Sequence, residues 1–170
     1  MIRQTTFNIK EKKTIAIITK EITLGLYSLF QYNYVHLDLK FENIIISKTM
    51  PIKITIIDLA FCKKLDQKNC LTDVFGTHGY IAPEVLLYKR YFHNTDIWSL
   101  GVILYGLFTD QLLFENITSN KVGRNQMNTF KNIYEHSLQI KNIDEDAVDL
   151  IDKMLQKNPS SRISIKDILK

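Results

Sequence analysis

The sequence predicts a mainly α-helical domain of the α+β kind, with one small β-hairpin among its helices. Three observations carry that reading. From Lys10 to Tyr32, the residues Ile15, Ile18, Ile22, Leu26 and Leu29 recur at intervals of three and four, one face of an amphipathic helix. From Thr95 to about Phe108 the chain is apolar nearly all round, as in a helix buried in a core. Between these, two short β-branched runs, Ile44 to Ile46 and Lys53 to Ile57, flank a turn at Ser47 to Pro51.

The elements follow in order. Gly25 costs the first helix about 1 kcal/mol against alanine, which marks a close packing contact. Asn33 can end that helix. Phe61 to Thr77 has weak periodicity and mixed charge, and reads as a loop; a long loop in a compact domain is usually functional. Thr95 suits an N-cap, with Ser99 inside the helix that follows. Thr109 to Gly123 reads as a loop and Asn125 to His136 as a modest helix. Asp144 to Gln156 is amphipathic, with Ala147, Leu150, Ile151, Met154 and Leu155 on one side and acidic residues at its favourable N-terminal end. Asn158-Pro159 breaks the pattern, and Ser164 can cap a last short helix. There is no repeat and no low-complexity linker.

At 170 residues the chain fits one domain with a sizeable core. Apolar residues make up 45% and charged residues 24%, which are globular values. The net charge of +4 is mild and the lysines are scattered, which argues against a nucleic-acid surface. No apolar stretch is long enough for a membrane span, and the N-terminus lacks a signal-peptide core. Cys62 and Cys70 have no metal-ligand spacing and read as reduced thiols of an intracellular, cytoplasmic protein, with the nucleus left open.

The chemistry concentrates at Val35-His36-Leu37-Asp38-Leu39-Lys40-Phe41-Glu42-Asn43. An Asp followed five residues later by an Asn, on a short loop between buried elements, suits phosphoryl transfer. The Asp can accept a hydroxyl proton and the Asn amide oxygen can hold a magnesium ion. By itself the stretch is equally well read as ordinary loop residues.

Four further segments shift that balance. Asp58-Leu59-Ala60 follows the apolar run Ile52 to Ile57. Gly76-Thr77-His78-Gly79-Tyr80-Ile81-Ala82-Pro83-Glu84 ends in A-P-E. Asp96-Ile97-Trp98-Ser99-Leu100-Gly101 reads D-x-W-S-x-G, and Asn158-Pro159 with Arg162 reads N-P-x-x-R. In this order and spacing the five resemble the catalytic domain of eukaryotic protein kinases of the serine/threonine type, loosely calcium/calmodulin-dependent-kinase-like. The resemblance spans nearly the whole chain but only part of a kinase domain. It matches the helical C-terminal lobe, residues 1–170, with a β-hairpin carrying the catalytic and metal loops. Nothing in Met1 to Tyr34 resembles the family's Gly-rich loop or the lysine of V-A-I-K, so the N-lobe is expected to be absent and the last helix cut short.

The resemblance implies roles residue by residue. Asp38 matches the catalytic aspartate, and Lys40 the lysine that meets the transferred phosphoryl in serine/threonine kinases. Thr77 matches the residue that bonds both. Asn43 and Asp58 match the two magnesium-holding positions, and Ile45 an apolar position under the adenine ring; the implied cofactors are ATP and Mg2+. His36 and Leu59 match stacked packing positions. Glu84 and Arg162 match a buried ion pair, and Asp96 the residue that bonds the catalytic-loop backbone. Glu42 matches a position that in some relatives reads a basic residue of the target; a solvated carboxylate is the equal reading.

Departures from the pattern also carry expectations. Leu37 replaces the arginine that usually receives an activation-loop phosphate, and Asp73 stands where many relatives carry the phosphorylated threonine. Ala60 replaces the glycine of D-F-G and is expected to restrict that segment. His78 replaces a common proline. The implied function is transfer of the ATP γ-phosphoryl to a serine or threonine of a protein substrate, with no nucleic acid or membrane involved and room for a regulatory protein partner. Without an N-lobe the isolated chain is expected to be inactive. The alternative is a pseudokinase or interaction module that retains the C-lobe fold, favoured by Leu37 and Ala60 and opposed by the intact Asp38, Asn43 and Asp58.

Overall fold

A computed structural model describes residues 7–66, 70–114 and 143–170. The helix expected over 125–136, and most of the loop expected over 109–123, lie outside them.

Helix α1 (Lys12–Gln31) buries Ile15, Ile18, Ile22 and Leu26 along one stripe. Asn33 follows with a left-handed φ of 60°, a conformation asparagine tolerates, and redirects the chain into β1 (Tyr34–Val35). A 3₁₀ turn (Phe41–Asn43) leads into β2 (Ile44–Ile46), which pairs antiparallel with β3 (Ile54–Ile56), Ile44 facing Ile56. Gly25 is where this hairpin meets α1: a Cβ there would lie 2.9 Å from Ile56 Cδ1.

Two elements depart from the sequence reading. Within the expected loop 61–77, β4 (Lys63–Lys64) pairs antiparallel with β1. A two-residue, lysine-only strand has no periodicity to read. Helix α2 (Pro83–Tyr88) opens inside the A-P-E segment, with Pro83 supplying the φ its first turn needs.

Helix α3 (Thr95–Thr109) is the core of the molecule. Ile97, Trp98, Leu100, Val102 and Ile103 are all buried, because α1 packs on one side and α4 (Glu145–Met154) on another. Gly101 allows the second approach: a Cβ there would meet Met154 Cβ and Leu155 Cδ2, each at 2.9 Å. The expected N-cap at Thr95 is corrected. Asn94 holds the cap position without a side-chain bond, and Thr95 is the first helical residue. Its hydroxyl is recruited elsewhere, accepting from Phe92 N–H at 2.8 Å and donating to Glu84 Oε1 at 2.9 Å. Asp144 caps α4, its carboxylate accepting from Asp146 N–H at 3.2 Å. A 3₁₀ turn (Pro159–Ser161) and α5 (Ile165–Ile168), capped by Ser164, close the chain against α1. Among the described residues no helix is long and apolar enough to cross a membrane.

Candidate active site

The loop between β1 and β2 is held from α3. Asp96, in the first turn of that helix, accepts from His36 N–H at 2.7 Å and from Leu37 N–H at 2.9 Å, one on each carboxylate oxygen. Burial pushes the Asp96 carboxyl above its ordinary range, while the two N–H groups pull the other way. The clamp fixes Leu37 in a left-handed conformation (φ 67°), which costs a side chain with a Cβ about 1–2 kcal/mol. Gly76 passes over the same residue: a Cβ there would sit 2.6 Å from Leu37 O, and its own φ is 106°. Only glycine suits that crossing.

His36 is fully buried. Its Nδ1 accepts from Asp38 N–H at 3.3 Å, which leaves Nε2–H to donate to Ile57 O at 3.2 Å. The ring thereby ties the catalytic loop to the end of β3.

Asp38 is buried, and three side chains converge on its carboxylate. Thr77 donates to Oδ1 at 2.7 Å, the Lys40 ammonium lies 3.1 Å from Oδ2, and Asn43 Nδ2 lies 3.3 Å from the same oxygen. Lys40 also donates to Thr77 Oγ1 at 2.7 Å, so threonine, lysine and aspartate form one chain. A carboxylate held by three donors cannot rotate freely and presents its remaining lone pairs in fixed directions. Asn43 spends its amide nitrogen on Asp38, reaching the backbone carbonyl at 2.9 Å as well, which leaves its amide oxygen available as an acceptor.

Asp58 stands at the other strand end. Ile57 N–H donates to Asn43 O at 2.9 Å, so the two candidate metal-holding residues sit at neighbouring ends of the hairpin. Asp58 is exposed, with φ 64°, and accepts from Ala60 N–H at 3.3 Å. Ala60 itself has no positive φ, so its Cβ meets no backbone penalty in this conformation. One amide oxygen and one free carboxylate are hard donors suited to a divalent cation that takes its other ligands from phosphates and water. Among the described residues no group of three or more His, Cys, Asp or Glu could hold a metal unaided.

The other expected positions divide. Ile45 is 53% exposed and lines a cavity of about 660 Å³ with Glu42, Phe41, Ile22 and Leu107. That cavity excludes Asp38, Asn43 and Asp58. Leu59, expected in a packed stack with His36, is instead 55% exposed, because no described residue covers the strand ends. Asp73 is exposed, with a carboxylate oxygen 3.9 Å from the Lys89 ammonium, and Leu37 is buried.

Beneath the site, Glu84 and Arg162 form a bidentate ion pair, both contacts at 2.8 Å, with both side chains buried. Arg162 further donates to Asn94 O and Gln156 O and lies over the Trp98 ring. Two contributors escaped the sequence reading. The Ser99 hydroxyl donates to Tyr80 O at 2.8 Å and anchors the segment carrying Thr77 to α3. Thr95 extends the Glu84–Arg162 pair. Their hydroxyls look like helix-interior and capping residues in sequence, and only the packing shows what they reach.

The sequence matches the protein kinase domain over residues 1–170. The chain belongs to the protein kinase family. This kinase chain is 32% identical over 165 residues to serine/threonine-protein kinase 17A of Oryctolagus cuniculus, covering 94% of the chain and 40% of that protein. It is 32% identical over 155 residues to serine/threonine-protein kinase PLK4 of Drosophila virilis, covering 91% of the chain and 19% of that protein. The kinase chain therefore spans less than half the length of either relative. The family's chemistry uses ATP and a divalent metal ion on protein substrates.

Proposed function

We propose that this protein is a serine/threonine kinase, and that residues 1–170 are the C-terminal lobe of its catalytic domain. The reading rests above all on the Lys40–Thr77–Asp38 chain, with contacts of 2.7, 2.7 and 3.1 Å. In it Asp38 receives the proton of the acceptor hydroxyl, and Lys40 places positive charge where the transferred phosphoryl gains negative charge. Asn43 and Asp58 hold the cation; Mg2+ when bound with ATP neutralises the phosphate oxygens. Ile45, apolar and outward-facing on β2, meets the adenine. Glu42 is exposed beside the loop and open to a basic residue of the substrate. Cys62 and Cys70, neither of them in a disulfide, suit a reducing, intracellular setting.

The test uses the 170-residue chain and a fusion placing the N-terminal lobe of the rabbit kinase 17A before it. Labelled phosphate from ATP should reach serine or threonine of a mixed protein substrate with the fusion and not with the chain alone. Asp38→Asn in the fusion should reduce transfer by about 10²–10⁴-fold. Transfer indifferent to Asp38, or onto tyrosine only, overturns the reading. A fusion that binds Mg-ATP and transfers nothing favours the pseudokinase alternative, which Leu37 in place of a phosphate-receiving arginine supports.

A further inference from the structure

A second groove, of about 1160 Å³, lies between α2, the end of α1 and the turn that precedes α5. None of Asp38, Lys40, Asn43 or Asp58 lines it, so what it does stands apart from phosphoryl transfer. Its lining combines aromatic surface with cations. Phe30, Tyr88 and Phe92 contribute the first, and Arg90, Lys157 and Lys166 the second. The opposing carboxylates are Glu84 and Asp66. Glu84 is already neutralised by Arg162, which leaves Arg90 and Lys166 as the cations of the lining that stand open to an incoming anion. His93, also in the lining, adds no charge near pH 7, because burial lowers its pKa below the ordinary value.

Two details suggest that something binds there. Tyr88 is 69% exposed and shares the lining with Arg90, and tyrosine and arginine are among the residues enriched at interface hot spots. Among the described residues no carboxylate lies within ion-pair distance of Arg90 or Lys166; the Lys166 ammonium rests over the Phe30 ring at 5.8 Å.

We propose that this groove docks an acidic peptide segment of a partner protein, with carboxylates flanking one aromatic or large aliphatic residue. The volume exceeds the roughly 300–1,000 Å³ usual for a small-molecule pocket and suits several residues of extended chain. Carboxylates on the segment meet Arg90 and Lys166. The apolar residue packs against Tyr88 and Phe92. A polynucleotide is the poorer occupant, because the net charge is only +4 and the lysines are scattered rather than gathered into a basic track.

The experiment measures fluorescence anisotropy of a labelled ten-residue peptide with four glutamates around one phenylalanine. The same peptide with glutamine for glutamate, and a labelled oligouridylate, serve as comparisons. The acidic peptide should bind the 170-residue chain, more weakly as salt rises, and at least about tenfold more tightly than the glutamine version. Reversing Arg90→Glu with Lys166→Glu should weaken it by about tenfold or more. Lys13→Glu with Lys20→Glu, the same charge change on the exposed face of α1, should leave it within about twofold. Circular dichroism of both double variants confirms that each is folded before binding is compared. Tyr88→Ala, at an exposed position, should weaken the acidic peptide without altering its salt slope. No binding of the acidic peptide, equal loss in both double variants, or oligouridylate binding with the same dependence on Arg90 and Lys166 overturns the proposal.

Discussion

Compare the underside of the catalytic loop with its open face. Underneath, Asp96 takes two backbone N–H groups, Glu84 and Arg162 pair at 2.8 Å in the interior, and His36 bridges the loop to β3. On the open face Asp58, Leu59 and Ile45 stand in solvent. The buried groups have their partners inside the chain, so they hold the loop whether or not anything is bound. The exposed ones have little to gain until a ligand arrives. On the proposed function, positioning and ligand contact fall to different residues, and substitutions should separate into those that unfold and those that only disarm.

The largest effect is expected underneath. Arg162→Met leaves Glu84 charged and buried, and should cost about 3–5 kcal/mol in urea denaturation. Glu84→Leu combined with Arg162→Met should recover most of it, since the stranded charge is gone. A single-variant loss below about 1 kcal/mol would show that the underside is not held as described.

Asp96→Asn comes next. It keeps one acceptor oxygen and strands one loop N–H, for a loss of about 1–3 kcal/mol. It should also change the pH profile. Burial raises the Asp96 pKa in the folded chain, so between the unfolded value of 3.8 and the raised one the folded state holds more protons. Stability from this group is therefore present below the unfolded value and lost as pH rises through the folded one. The difference in stability between parent and variant should shift across that window. A difference constant with pH would remove the titration from the account.

Thr77→Val probes the boundary between the two regions. It cuts the Lys40–Thr77–Asp38 chain while keeping shape, and should cost about 1 kcal/mol of stability with about a tenfold or greater loss of transfer in the fusion. Normal transfer would demote the chain to packing.

The smallest stability effect belongs to the open face. Asp58→Asn preserves a residue type that tolerates φ 64° and should leave stability within about 0.5 kcal/mol. The same variant should abolish the Mg2+-dependent thermal shift given by ADP. A large loss of stability without ligand would erase the contrast between the two faces.

Much of this was legible before any coordinates. The stripe Ile15, Ile18, Ile22 and Leu26 determined α1 and its buried face, and the all-round apolar run from Ile97 to Phe108 determined that α3 lies in the core. The motif order pointed to the residues around the catalytic loop. Hidden were α2, β4 and the true start of α3. A six-residue helix and a two-lysine strand carry too little periodicity, and the Thr95 hydroxyl could equally serve a cap or a distant carboxylate.

What the sequence by itself determined is the long helices and the apolar stripes they bury, because those follow from period and residue type along one dimension. Only the tertiary structure decided that Asp96 clamps His36 and Leu37 from 60 and 59 positions away, that Ser99 reaches Tyr80, and that cations from three separate segments rim one groove. Those pairings depend on how helices and loops pack, and a hydrogen bond between residues far apart in the chain leaves no local pattern to read.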